Sequence, residues 1–256
     1  MIRGLLVICM TLAYVLVVGT PVLIYSAISG NTDFLYRVGI LGARVILRLA
    51  GVRLVLQGRE KVPTQGAVVF MANHQGNCDP PAIFVHLPPV LVMVKKEFFR
   101  VPILGRGMRL RGFIPVERQN RERAFEAVEQ AVEALKAGHS FLVFPEGTRS
   151  RDGRLQPFKK GVFVMAIRAG AAIVPISISG SSKVMRKGEF AIHPGTVRLT
   201  FHDPVPTTGY TLEDREQVIA LVRGAILKGL EKEEWPLESA IDQLSLAPTP
   251  PAASKP

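Results

Sequence analysis

Two side chains five positions apart, His74 and Asp79, stand in the stretch A-N-H-Q-G-N-C-D-P-P at residues 72–81 and are of the types that general-base chemistry needs. A neutral imidazole accepts a proton near pH 7. A carboxylate on its other ring nitrogen fixes the tautomer and steadies the imidazolium that forms. Five positions do not share a helical face, so a turn must fold the ring back toward the carboxylate. The apolar run at 67–71, bounded by Gly66 and Asn73, suits a buried strand. Asp79 followed by Pro80 and Pro81 has the form of an N-cap with prolines in the first helical turn. His74 is therefore expected at a strand's end, with Asp79 opening a helix. Cys78, in the same turn, has the type of a covalent nucleophile, but a cysteine in a tight turn is more often just a small residue.

Three more stretches place polar residues after apolar runs, where open α/β sheets commonly hold their ligands. Residues 112–118, G-F-I-P-V-E-R, deliver Arg118 to a strand end. Residues 144–150, F-P-E-G-T-R-S, put Glu146, Gly147, Thr148 and Arg149 in a turn. Residues 173–180, I-V-P-I-S-I-S-G, form an apolar strand in which Pro175 suggests an edge position or a bulge. The other four histidines, His86, His139, His193 and His202, have no comparable company and read as structural or surface groups.

The elements that must carry these residues follow from periodicity. Short apolar runs at 52–56, 67–71, 90–94, 113–116, 141–144, 173–178 and 197–201 read as strands. Between them, 121–137 keeps the i, i+3/i+4 rhythm of a helix and ends at Gly138. Segments 159–169 and 213–232 are further helices. This alternation predicts an α/β fold, a single layered domain at 51–244 with a mostly parallel sheet flanked by helices. Residues 245–256, rich in proline and alanine, read as a disordered tail.

Residues 1–50 have another character. Leu5 to Ile28 is 24 residues without a formal charge, enough to cross a hydrocarbon core of about 30 Å. It exceeds the usual apolar region of a cleaved signal. Pro21 should kink or end this helix near Thr20. From 33 to 50, Arg37, Arg44 and Arg48 share one face of an amphipathic helix, so an N-terminal two-helix membrane motif is expected, its arginines toward lipid phosphates. Whether the first helix spans the bilayer or enters one leaflet is open.

The whole chain of 256 residues is basic, with 32 Lys and Arg against 21 Asp and Glu, a net charge of +11 and a pI near 10.1. Such a chain suits nucleic acid, anionic lipid or phosphorylated substrates. Aromatic and basic residues are not interleaved as in base-stacking proteins, which disfavours nucleic acid. Two cysteines make neither a disulfide framework nor a zinc site and point to a reducing compartment. With no metal-ligand cluster and no dinucleotide fingerprint, neither a metal nor a redox cofactor is expected.

The blocks N-H-x-x-x-x-D, G-x-x-x-x-x-R, F-P-E-G-T-R-S and V-P-I-S-I-S-G, in this order, resemble the four blocks of the glycerophospholipid acyltransferases, the bacterial 1-acylglycerol-3-phosphate acyltransferases most of all. The likeness extends from about residue 52 to 206. The second block departs from the usual form, with Ile114-Pro115 for two apolar residues and Glu117 where aspartate is common.

The resemblance implies transfer of a fatty acyl group from acyl-CoA or acyl-carrier protein to the sn-2 hydroxyl of lysophosphatidic acid, giving phosphatidic acid. The catalytic domain is expected on the cytosolic face of a membrane, because thioester donors are made there and two unpaired cysteines suit that side. His74 would be the general base and Asp79 its orienter. Phosphate asks for arginine forks and backbone N–H donors, for which Arg118, Arg149 and the Gly147-Thr148 turn are the candidates. Lys96 is a further candidate by the same likeness. Glu146 would repel a phosphate, so it is expected to buttress an arginine or accept from a glycerol hydroxyl. Asn73 is placed among the substrate-binding residues, and Pro175 as a shape element of the acyl groove. From Lys95 to Arg123 there are nine basic and three acidic residues, a stretch suited to anionic membrane lipids. The alternatives are the same chemistry on another lysolipid and, in a different class, a non-catalytic basic protein that binds membrane or nucleic acid.

Overall fold

Strands covered on both faces need apolar side chains at successive positions, and the central runs of this chain supply them. The computed structural model describes residues 2–117 and 119–237. The chain enters through α1 (Ile2–Tyr14), a π-type turn (Val15–Gly19), α2 (Thr20–Ser29) and α3 (Thr32–Leu49). Then come β1 (Val52–Gln57), β2 (Val69–Ala72), α4 (Asp79–Phe84), β3 (Leu91–Lys95), a 3₁₀ turn (Lys96–Arg100), α5 (Leu104–Leu110) and β4 (Ile114–Val116). The remainder is α6 (Arg121–Lys136), β5 (Phe141–Val143), α7 (Gly161–Ala169), β6 (Ile173–Ser179), α8 (Ser181–Val184), β7 (Gly195–Phe201) and α9 (Arg215–Lys228). All seven expected strands are present, their ends shifted by at most two residues. The last helix stops at Lys228, before Gly229. The tail expected from residue 245 lies outside the described residues.

The strands form one sheet in the order β1-β7-β6-β2-β5-β3-β4. Five run parallel, while β1 and β7, parallel to each other, run the opposite way. Alternate side chains feed two cores. Val69, Met71, Phe141 and Val143 point to the layer of α6, α7 and α9. Phe70, Ala72 and Leu142 point to the layer of α3 and α4. Burying each such side chain is worth about 1.5–3 kcal/mol, so this period-2 split fixes the register.

Pro175 is not at an edge: β6 lies between β2 and β7, and Pro175 pairs with Met71. The position tolerates proline because the β7 ladder ends there. His202 N–H donates to the Pro175 carbonyl at 3.0 Å, and pairing resumes one residue out of register at Ile173 with Val205. The missing donor therefore falls in a bulge, the other outcome the sequence allowed.

Pro21 does not end the first helix, which continues to Ser29. Its ring crowds the Val17 carbonyl and removes one backbone bond, and the wider turn at Val15–Gly19 absorbs both defects. Helix 2–29 is long and apolar enough to cross a membrane, and only Gly4, Val7, Leu23 and Ser26 in it are buried. Gly30, at φ 72°, ends it, and Asn31 caps α3 by accepting from Phe34 N–H at 3.0 Å. Gly42 lets α3 approach α1, since a Cβ there would stand 2.4 Å from the Tyr14 ring. Leu47 of α3 enters the core, leaving Arg37, Arg44 and Arg48 exposed.

Candidate active site

A strand's last peptide groups need partners when the strand stops inside a protein. At the end of β2, Asn73 supplies them: its buried amide donates to the Ile178 carbonyl at 2.8 Å and accepts from Ile178 N–H at 2.7 Å. This side chain continues the ladder toward β6 by one step. It is spent on the backbone and does not open toward a ligand.

His74 follows, and the turn brings its ring to Asp79. Nδ1 lies 2.7 Å from Asp79 Oδ2, and the same oxygen accepts from Gln75 N–H at 2.7 Å and Gly76 N–H at 2.8 Å. Asp79 is wholly buried, whereas the His74 side chain keeps 15% exposure. An anionic Asp79 beside Nδ1 makes that atom the protonated one, leaving Nε2 as an acceptor. Asp79 is the first residue of α4 and not its N-cap, a position held by Cys78. Its carboxylate reaches backward to the turn because the prolines behind it have no N–H to offer. Cys78 is buried, and burial together with the Asp79 charge pushes its thiol up, so it stays a neutral packing group.

The F-P-E-G-T-R-S stretch holds His74 from the other side. Glu146 Oε1 accepts from His74 N–H at 2.7 Å, and Ser150 N–H donates to the His74 carbonyl at 2.7 Å. Phe144 stacks on the imidazole, with centroids 4.1 Å apart and planes at 23°. Glu146 Oε2 accepts from Gln156 N–H at 3.2 Å, and the residue is 2% exposed. Burial pushes its carboxyl up to about 8, against the two backbone donors that favour the anion. Of the two roles expected from the sequence, an arginine's buttress or an acceptor for a glycerol hydroxyl, the first is not seen: both Glu146 oxygens accept from backbone N–H groups, one of them that of His74. Arg223, its Cζ over the Phe158 ring at 5.2 Å and its guanidinium donating to the Gln156 carbonyl at 2.6 Å, is the nearby buried cation.

Gly147, at φ 73°, closes its turn by donating to the Phe144 carbonyl at 2.9 Å. Lys187 braces this turn, with Nζ 3.0 Å from both Thr148 Oγ1 and the Arg149 carbonyl. The Arg149 guanidinium forms no hydrogen bond or ion pair among the described residues. Lys96, after β3, pairs with Glu117 at 2.8 Å, and Glu117 lies 3.5 Å from Arg123. Arg118 itself lies outside the described residues. Strands stand about 4.8 Å apart, so the ends of β3 and β4 are roughly 10 and 14 Å from β2. His74, the Phe144 turn and Lys96 thus occupy one carboxyl edge. Pro175 does not join them, being enclosed in the sheet beside Met71.

Two cavities border the turn. One of about 350 Å³ lies between α2, α3, α4 and α5, with Pro80, Pro81, Phe84 and Met108 in an almost wholly apolar wall. Another of about 420 Å³ separates Val7 and Leu12 of α1 from Asn77 and Cys78. Among the described residues no group of three or more His, Cys, Asp or Glu is placed to hold a metal. A second Ser/His contact, Ser177 with His202 Nε2 at 2.7 Å, has its serine fully buried and bonded to the Ile226 carbonyl.

The sequence did not point to Lys187 or Arg223, and it marked Ser150 only as part of the 144–150 stretch. A sign of Glu146's part was available, because a carboxylate directly after an apolar strand must find buried donors.

Comparison with known proteins gives consistent matches. Residues 53–179 match a family model described as acyltransferase. The 1-acyl-sn-glycerol-3-phosphate acyltransferase of Limnanthes douglasii is 32% identical over 78% of this chain and 71% of its own. The chloroplast enzyme of that name from Arabidopsis thaliana is 35% identical over 60% of this chain, which spans only 44% of its length. The crystal structure of the 1-acyl-sn-glycerophosphate acyltransferase of Thermotoga maritima superposes with a TM-score of 0.77 at 28% identity, covering 89% of this chain and 95% of that one.

Proposed function

Because the chain belongs to the acyltransferase family that includes the 1-acyl-sn-glycerol-3-phosphate acyltransferases, we propose that it moves a fatty acyl group from a thioester, acyl-CoA or acyl-carrier protein, to the sn-2 hydroxyl of 1-acylglycerol-3-phosphate. The product is phosphatidic acid. One observation carries the mechanism: a wholly buried Asp79 bonds Nδ1 of a partly exposed His74, so that Nε2 faces outward as a base.

The hydroxyl gives its proton to Nε2 as its oxygen attacks the thioester carbonyl. The tetrahedral intermediate collapses, the carbon–sulfur bond breaks, and the imidazolium returns the proton to the leaving thiolate. Asp79 stabilises the imidazolium in between. General-base catalysis supplies about 10²- to 10⁴-fold, and the rest comes from positioning and charge stabilisation.

Lys96, Arg118, Arg149 and the Gly147-Thr148 turn would receive the acceptor's phosphate, with Lys96 exchanging Glu117 for it. The apolar cavity beside Pro80 and Pro81 suits an acyl chain. The apolar helix 2–29 supports attachment to a membrane rich in anionic lipid, with the catalytic domain on the cytosolic side where thioesters are made.

The test is transfer from labelled acyl-CoA, and separately from acyl-carrier protein, to 1-acylglycerol-3-phosphate. His74→Ala should abolish it. A folded His74→Ala variant with substantial activity overturns the mechanism, and preference for an uncharged acceptor overturns the phosphate site.

A further inference from the structure

Between β3 and α5 the chain carries apolar side chains on its outside. Phe98, Val101 and Leu104 are 50%, 43% and 48% exposed, although their neighbour Phe99 is buried. The chain reverses at Ile103, which has φ 63° and ψ −63°, and Leu104 N–H donates to the Pro102 carbonyl at 2.6 Å. This is the rare, strained γ-turn, here at a β-branched residue. A glycine or asparagine would make the same reversal cheaply in water. The sequence Val-Pro-Ile-Leu instead keeps four apolar residues together at the tip and accepts strain to do so.

The surroundings say what the tip meets. Arg100 and Arg106, on either side of it, are exposed and form no hydrogen bond or ion pair among the described residues. Arg109 sits over the Phe99 ring at 5.7 Å. Ile103 turns toward Gly19, at the π-type turn of the long apolar helix, where its Cγ2 lies 3.9 Å from the place of a Cβ. The exposed patch therefore adjoins that helix, whose own apolar side chains are exposed, among them Leu16 and Val17 at 60% and 72%. An apolar tip between cations, beside a helix of lipid-like surface, complements an anionic headgroup layer over an acyl region.

We propose that residues 98–104 form a second membrane contact. The tip enters the interface of the leaflet next to the π-type turn of that helix, and Arg100 and Arg106 engage lipid phosphates. The inference rests on membrane attachment of helix 2–29, which the experiment reads separately.

The full chain, in a Trp235→Phe background that removes its one tryptophan, is reconstituted in vesicles of phosphatidylcholine with a minority of phosphatidylglycerol. Single tryptophans are placed by Leu16→Trp, Leu104→Trp and Phe125→Trp. Phe125, 60% exposed on α6 on the other side of the sheet, is the aqueous control. Chain-brominated phosphatidylcholine should quench the Leu16 and Leu104 probes several-fold more than the Phe125 probe. Arg100→Glu with Arg106→Glu should reduce quenching at the Leu104 site and leave that at Leu16. Quenching at Leu16 with a Leu104 probe no different from the Phe125 probe overturns the proposal and places the tip in water or against a protein. An unquenched Leu16 probe overturns the membrane reading and this inference with it. Val101→Trp replaces Leu104→Trp if that variant lacks activity in detergent.

Discussion

Glu146 reaches His74 through the backbone and not through the ring: its Oε1 accepts the His74 peptide N–H at 2.7 Å while the imidazole turns away to Asp79. Two stretches 72 residues apart in sequence are thereby made one rigid unit. The orientation of Nε2 depends on a carboxyl that need not touch the substrate.

That carboxyl makes stability depend on pH. Its folded value, pushed up to about 8, lies above that of an unfolded chain, so between roughly 4.3 and 8 the folded state binds more protons. The contribution is complete below the unfolded value and is lost as pH rises through about 8. Unfolding followed against pH should show stability falling across this window with a slope of up to about 1.4 kcal/mol per unit. Glu146→Gln should flatten that slope and lower kcat with little change in KM. An unchanged slope in the variant would assign the effect to another group.

Asp79→Asn keeps the size of the side chain but removes the anion that holds the Nδ1 proton and favours the imidazolium. We expect kcat to fall by about 10⁴, with KM for the acceptor nearly constant. Steady-state rates with a folded variant decide it, and a loss under tenfold would count against Asp79 as the orienter.

Gly76 lies within the turn between His74 and Asp79, where an added Cβ would come 2.7 Å from the Ser181 carbonyl oxygen. Backbone cannot yield there as a flexible side chain does. Gly76→Ala should cost about 1–3 kcal/mol of stability in denaturant titration and reduce activity with it. A variant as stable as the parent would show that the turn has room to shift.

Lys187 holds the phosphate-turn candidate by its bonds to Thr148 and Arg149. Its replacement by alanine should raise KM for the phosphorylated acceptor about fivefold, the worth of roughly 1 kcal/mol of positioning, with kcat little altered. Equal loss for phosphorylated and uncharged acceptors would place Lys187 outside phosphate recognition.

The seven strands and the main helices were legible because burial on two faces writes a continuous apolar run, and burial on one stripe writes a helical rhythm. The pairing of His74 with Asp79 was legible as types and spacing. What escaped depended on contacts between distant segments. Asn73 read as a ligand residue because its tie to Ile178, 105 residues away, leaves no local mark. Asp79 resembled a helix cap, since the backward reach to Gln75 and Gly76 has the same composition as a forward one. Pro175 pointed to an edge or a bulge, and only the register of β7 decides between them.

The cavity between α1 and the His74–Asp79 turn bears on how the proposed reaction would be measured. Val7 and Leu12 share its wall with Asn77 and Cys78, so the apolar helix lies alongside the turn that carries His74. An acceptor arriving along that helix would be counted per unit of surface and not per litre. Its mole fraction among inert lipids would then set the rate. Diluting it with neutral lipid at fixed bulk concentration should slow turnover, as expected of a catalyst whose search for substrate is two-dimensional.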